Sequence, residues 1–256
     1  VGCGVVVDAV PDGLHVVERP GDRSEPRVVV VHGAMDRSSS FGRVARRLEE
    51  VPLVLYDRRG YGRSRRLAPG DLPRQVDDLL AVIGDRPAVV FGHSVGGVVA
   101  LVAAARRPDL VAALLVYEPP TPWVPWWPRS DRPPPPDPAD HAEAFMRGAV
   151  GDRIWERLGA GIRADRRAEG LALRADLAAM EVASSPFDPS AVRAPTLVAA
   201  GETTSWWHRR AAEELADHLP DARFVELPAT GHGGHLATPS AVADLVREAR
   251  SSALDA

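Results

Sequence analysis

The chain has 256 residues, 45% of them hydrophobic and 26% charged, which suits one large α/β domain that buries enough surface to need no disulfide or metal staple. A net charge of −4 provides no basic footprint for nucleic acid and no polybasic patch for a membrane surface. The single cysteine, Cys3, excludes an internal disulfide and reads as a small buried residue; no apolar run approaches the ~20 residues of a membrane span, and no signal peptide is visible, so a cytoplasmic protein is expected.

Taken in chain order, β-branched apolar runs alternate with helical patterns, the signature of a mostly parallel sheet covered by helices. Residues 5–7 and 14–18 read as an opening hairpin around Pro11-Asp12-Gly13. Residues 27–31 form a continuous apolar run, as in a strand buried on both faces. A helical period follows over 41–49, a strand over 53–56, and a helix over 72–83 that Asp71 is placed to cap. Residues 88–91 read as a strand and 95–106 as a helix of small and apolar side chains. Strands follow at 111–117, 196–200 and 223–227, with helices at 208–218 and 241–250.

Residues 119–138 interrupt this alternation. They hold Trp123, Trp126, Trp127 and the run of prolines 133–136. Proline removes backbone donors and fixes φ, so the stretch reads as a stiff, irregular connection. Helical patterns then extend over 139–181. Long insertions of this kind are usually lids or binding elements. The expected division is a core of 1–118 and 187–256 with an inserted cap at 119–186.

Three short segments carry chemistry. Gly92-His93-Ser94-Val95-Gly96-Gly97 lies between a strand and a helix, the context of a G-x-S-x-G elbow. Small residues two before and two after the serine permit a turn sharp enough to lift Ser94 Oγ to the helix N-terminus. Serine needs a base within hydrogen-bond reach. His232, in Gly231-His232-Gly233-Gly234-His235 after the last strand, is the best placed. His235 is the competitor and reads as a loop histidine held by backbone bonds. The two have His-x-x-His spacing, but a second half of a metal site is missing, so neither metal nor cofactor is expected. His32-Gly33-Ala34-Met35 follows the strand at 27–31. It sits where the second oxyanion-hole donor is found, which nominates the backbone N–H groups of Ala34 and Val95.

These segments and Asp57-Arg58-Arg59-Gly60-Tyr61-Gly62-Arg63-Ser64, which looks like a D-x-R-G-x-G-x-S structural turn, follow one another in an order that resembles the α/β-hydrolase superfamily from end to end. The resemblance implies an eight-stranded, mostly parallel sheet, a small helical cap after the sixth strand, and a triad in the order Ser, acid, His. The chain departs from the family at the acid. The usual aspartate position, three residues after the glycine that ends the seventh strand, holds Thr204 in Gly201-Glu202-Thr203-Thr204. Glu118, after the sixth strand, and Glu202 are the substitutes, and the absence of a working acid is the third alternative. Glu118 is preferred because Pro119 and Pro120 are expected to hold it rigid and extended.

The expected activity is hydrolysis of an ester, lactone or thioester of a largely apolar small molecule through an acyl-serine, with Trp123, Trp126 and Trp206 lining the pocket. Cap packing is the competing role for these tryptophans. Haloalkane dehalogenases and epoxide hydrolases of this fold use an aspartate where Ser94 stands. A biosynthetic cyclase or lyase and a non-catalytic ligand-binding member remain the alternatives, because fold alone does not decide function.

Overall fold

The structure, a computed structural model, describes residues 5–6, 13–22, 25–131 and 133–255. Cys3, Val7 and the Pro11-Asp12 part of the opening turn lie outside the described residues.

Among the described residues, eight strands form one sheet: β1 (Val5–Val6), β2 (Val16–Arg19), β3 (Val28–Val31), β4 (Leu53–Tyr56), β5 (Ala88–His93), β6 (Val111–Tyr117), β7 (Thr196–Gly201) and β8 (Ala222–Leu227). Their spatial order is β1-β2-β4-β3-β5-β6-β7-β8. β2 pairs antiparallel with both β1 and β4, and every pair from β4 to β8 is parallel. A parallel sheet needs both faces covered, and the period-two alternation of its strands achieves this. Val29 and Val31 face one core with α2 (Leu72–Ile83), α3 (Val95–Arg106) and α8 (Trp206–His218). Val28 and Val30 face the other, with α1 (Gly42–Ala45) and α10 (Pro239–Asp255). The Asp71 carboxylate accepts the Arg74 N–H and caps α2.

The helix expected over 41–49 is shorter. A 3₁₀ turn (Ser38–Phe41) leads into the four-residue α1, and the chain continues as turns closed by Arg47 N–H to Val44 O and Leu48 N–H to Ala45 O. Phe41, Val44 and Leu48 are still buried, so the apolar period is met. The carbonyls are diverted: the Arg19 guanidinium on β2 donates to Ala45 O and Val51 O at 3.0 Å and also to Leu48 O. That satisfies helix-end acceptors from outside the segment.

Between β6 and β7 lie the irregular Pro/Trp connection and four helices: α4 (Pro138–Val150), α5 (Asp152–Arg157), α6 (Ala160–Arg167) and α7 (Gly170–Met180). Met146, Trp155 and Leu173 from these helices share a small core with Met35 and Tyr61. Met35 and Tyr61 follow the C-terminal ends of β3 and β4, so the insertion packs on the sheet edge where β5 also ends.

The Asp57–Ser64 turn joins this insertion to the sheet. Asp57 accepts the N–H groups of Ser38 and Arg63 at 2.8 Å. Arg58 makes a bidentate pair with Asp176 of α7 at 2.9 and 2.7 Å, and Tyr61 Oη donates to the same carboxylate at 2.7 Å. Both partners of the ion pair are buried. Asp176→Ala is therefore expected to cost about 3–5 kcal/mol, because it strands a buried guanidinium. Urea unfolding of the two proteins checks this; a loss below ~1 kcal/mol, the range of solvent-exposed pairs, would mean that water reaches Arg58.

Candidate active site

Ser94 stands at φ 52°, ψ −126°, between β5 and α3. That conformation is strained for a residue with a Cβ, and such strain persists only when the surroundings enforce it. Here they do. A Cβ on Gly92 would lie 2.6 Å from Gly96 O and from Gly97 Cα, and one on Gly96 would run into the carbonyls of Val31 and His32. The Ser94 N–H donates to Tyr117 O at 2.9 Å, which ties the turn to the end of β6. Gly33 lies against the turn, since a Cβ there would sit 3.0 Å from Ser94 Cβ. The loop holding Ala34 is thus next to Ser94. Val95 is the first residue of α3, where a backbone N–H has no acceptor within the helix. Met35, at φ 54°, turns the Ala34 loop.

His32 shapes that loop from inside the protein. Its Nδ1–H donates to Gly33 O at 2.8 Å and its Nε2 accepts the Arg58 N–H at 2.9 Å. Burial, with Arg58 nearby, lowers its pKa to about 4, so it stays neutral.

His232 and Glu118 meet. His232 Nδ1 is 2.6 Å from Glu118 Oε2. Glu118 is fully buried and also accepts Gly201 N–H and Thr204 Oγ1–H, both at 2.8 Å. Burial pushes its pKa up, but the His232 hydrogen bond and charge, with the two other donors, hold it below the usual carboxylate value. Glu202 instead points outward and accepts the Ala229 N–H at 2.7 Å. Thr204, at the family's usual acid position, serves as a donor to the displaced acid.

The backbone of Glu118 corrects one expectation. Its φ is +48°, not extended, although Pro119 follows. The Glu118 N–H donates to Ala199 O at 2.9 Å while its carboxylate takes three partners. Together these contacts outweigh the local preference imposed by proline.

His235 is buried elsewhere. It stacks on Phe41 at 4.4 Å, and its Nε2 lies 3.1 Å from Asp36 Oδ2. The loop of His232 is held from below instead: Tyr117 Oη donates to Gly231 O at 2.8 Å, and His93 Nε2 lies 2.9 Å from His232 O. His93 is buried, which drives its pKa well below the ordinary value, with the neighbouring histidines acting in the same direction.

Of the tryptophans expected to line the pocket, Trp126 and Trp206 are ring neighbours, and Trp123 packs on the main core. Trp123 packs against the main core and borders a cavity of about 230 Å³ with Val124, Phe187 and Leu215. Trp126 donates to Glu214 at 3.2 Å and lies under the Arg210 guanidinium, 4.4 Å from the ring centre. Trp206, more than half exposed on the first turn of α8, is 6.1 Å from Trp126. The aromatic contact to His232 runs through Trp127, named from the sequence in the same cluster, and His208, which sequence reasoning did not select. Trp127 meets His208 edge-on at 5.4 Å, and His208 stacks on His232 at 4.6 Å. Burial and the His232 charge lower the His208 pKa to about 4. A histidine on a helix beside two tryptophans offers no spacing signal that would have singled it out.

An open parallel sheet binds its ligands beyond the carboxyl ends of its strands. Ser94, Glu118 and His232 follow the ends of three of them, β5, β6 and β8, and define a protein of the α/β-hydrolase class. The sequence model of the alpha/beta hydrolase family matches residues 28–245, and the chain belongs to that family. Lipase LipV of Mycobacterium tuberculosis is 42% identical over 109 residues, 41% of either chain. The monoacylglycerol lipase of Mycolicibacterium smegmatis is 33% identical over 38% of this chain and 39% of its own. The chain thus matches about two fifths of the length of these curated relatives. The crystal structure of an alpha/beta hydrolase from Sphaerobacter thermophilus DSM 20745 superposes with a TM-score of 0.71 at 32% identity, over 93% of this chain and 97% of that one. Among the described residues, no helix is long and apolar enough to cross a membrane.

Proposed function

We propose that the chain is a serine hydrolase acting on an ester, lactone or thioester of a largely apolar small molecule. The observation that carries this reading is the 2.6 Å contact between His232 and a buried, ionised Glu118 beside the strained Ser94 turn. In this reading Ser94 Oγ attacks the acyl carbon while His232 Nε2 takes its proton. Glu118 holds Nδ1–H and stabilises the imidazolium. The Ala34 and Val95 N–H groups receive the oxyanion. His232 then returns the proton to the departing alcohol or thiol. Water, deprotonated by His232, cleaves the acyl-serine and releases the acid.

Residues 119–186 act as a lid in this scheme, with the tryptophan cluster as its apolar wall. The lipase names of the relatives favour an acyl substrate. A fluorophosphonate probe should label the wild-type chain stoichiometrically and leave Ser94→Ala unlabelled, and p-nitrophenyl esters of graded chain length should give the preferred acyl size. Absence of labelling would refute the reading. Labelling without turnover of any acyl ester would favour a cyclase or lyase.

A further inference from the structure

A second set of titratable side chains lies behind the Ser94 turn, and the acyl-transfer scheme leaves it unused. Asp36 comes from the loop after β3, His93 from the end of β5, and His235 from α9 (Gly234–Ala237). One donor atom of each lies within 4.8 Å of the other two. His93 and His235 are 5% and 3% exposed, and the Asp36 side chain 14%. Asp36 Oδ2, His93 Nδ1 and both ring nitrogens of His235 are buried without a hydrogen-bond partner. Buried polar atoms are nearly always partnered, so four orphans in one place call for an explanation.

An ion pair between Asp36 and His235 does not supply it. The two atoms lie 3.1 Å apart and attract each other as an ion pair, but that pair leaves His93 Nδ1 alone. The hydrogen-bonding of the ring and carboxylate points elsewhere. His93 Nε2 faces the His232 carbonyl, which only accepts, so Nε2 carries the proton and Nδ1 the lone pair. A metal-binding histidine is set up in this way, with its second nitrogen donating to a backbone carbonyl. Asp36 Oδ1 accepts the Arg37 N–H at 2.9 Å, leaving Oδ2 for a different partner. Two imidazoles and one carboxylate are a recurrent zinc set.

The second such trio, Glu118, His208 and His232, is also compact, but its atoms are engaged. His232 Nδ1 is on Glu118, Glu118 takes two further donors, and His208 Nδ1 is 2.8 Å from Ser205 Oγ. That cluster has no vacancy for an ion.

We propose that Asp36, His93 and His235 form a zinc(II) site, leaving one tetrahedral position for a solvent molecule. The ion satisfies three of the four orphaned atoms; the protonated His235 Nδ1 is the fourth. It braces three loops at once. Asp36 lies two residues after Ala34, His93 immediately before Ser94, and His235 three residues after His232. The sequence shows no second half for His235 because its co-ligands come from two distant loops, and its His-x-x-His neighbour is held by Glu118.

The full chain, stripped with a chelator and dialysed, is titrated with cobalt(II) chloride and then zinc(II) chloride. The readout is metal content and spectrum, so it does not depend on the acyl-transfer reading. The expected result is one cobalt per chain with the strong visible absorption of a tetrahedral site, displaced by one zinc. D36N and H235Q should each weaken binding by at least about 10-fold, while H208Q should leave it intact. X-ray absorption of the wild-type zinc form should show imidazole scattering, a measurement that stands if the variants fail to fold. No stoichiometric cobalt or zinc, an ion without imidazole ligands, or binding lost in H208Q and kept in H235Q would each overturn the site.

Discussion

Ser94→Ala is expected to lower kcat by about 10⁴- to 10⁶-fold with the fold intact. Removing Oγ removes the only protein atom in the scheme that bonds to the acyl group, while the backbone donors and the pocket survive. The fold should tolerate the change because alanine, like serine, carries only a Cβ against Gly33, and the positive φ at 94 is already enforced by Gly92 and Gly96. The measurement is ester turnover together with far-UV circular dichroism and Tm. A variant that keeps more than a few per cent of wild-type turnover would sink the nucleophile assignment. One that loses turnover by unfolding would leave Tm visibly lower than wild type.

Glu118→Gln is expected to lower kcat by about 10⁴-fold with little change in KM. The carboxylate now accepts from His232 Nδ1 and so holds the proton away from Nε2, the nitrogen that the proposed scheme assigns to Ser94. The amide introduced by the substitution has a single carbonyl oxygen, and the buried Gly201 N–H, which now donates to Oε1, would claim it. The amide nitrogen would then face His232 as a donor, forcing the wrong tautomer and leaving the imidazolium without a counter-charge. Glu202→Gln, by contrast, alters one exposed contact to Ala229 N–H that an amide oxygen also accepts, and should change turnover by no more than a few-fold. The reverse ranking would assign the acid to Glu202. A pH profile provides a further check. The depressed pKa of Glu118 keeps it ionised through the neutral range, so it favours the folded state above the unfolded carboxylate pKa and loses that contribution as pH falls through its own lower value. In Glu118→Gln that component of acid destabilisation should be absent.

Much of the sheet was legible in the chain because each central strand announces itself locally. Residues 28–31 are four valines, and a strand with alternate side chains in two separate cores has no polar face to confuse the pattern. The Ser94 turn was legible for a different reason: two glycines whose Cβ atoms would collide with backbone leave few other conformations. The helix over 41–49 was overestimated because Arg19, far away in sequence, takes Ala45 O, the carbonyl that the Glu49 N–H would have used to continue it.

The chain by itself nominated a donor loop after β3, a nucleophile after β5 and a histidine after β8, and left the acid open between Glu118 after β6, Glu202 after β7 and none. The serine turn depends on steric constraints within a few residues, whereas the order Ser, acid, His rests on the resemblance to the family. Tertiary structure alone decided how these groups are held. Glu118 adopts a positive φ against the preference set by Pro119, because Ala199, Gly201, Thr204 and His232 from β7 and the loops after β7 and β8 converge on it. His208 stacks on His232, and Asp36 joins His93 and His235, through side chains that are distant in sequence. Such pairings are set by how a parallel sheet aligns the ends of its strands, and no local period or motif encodes which side chains then come within a few ångströms of one another.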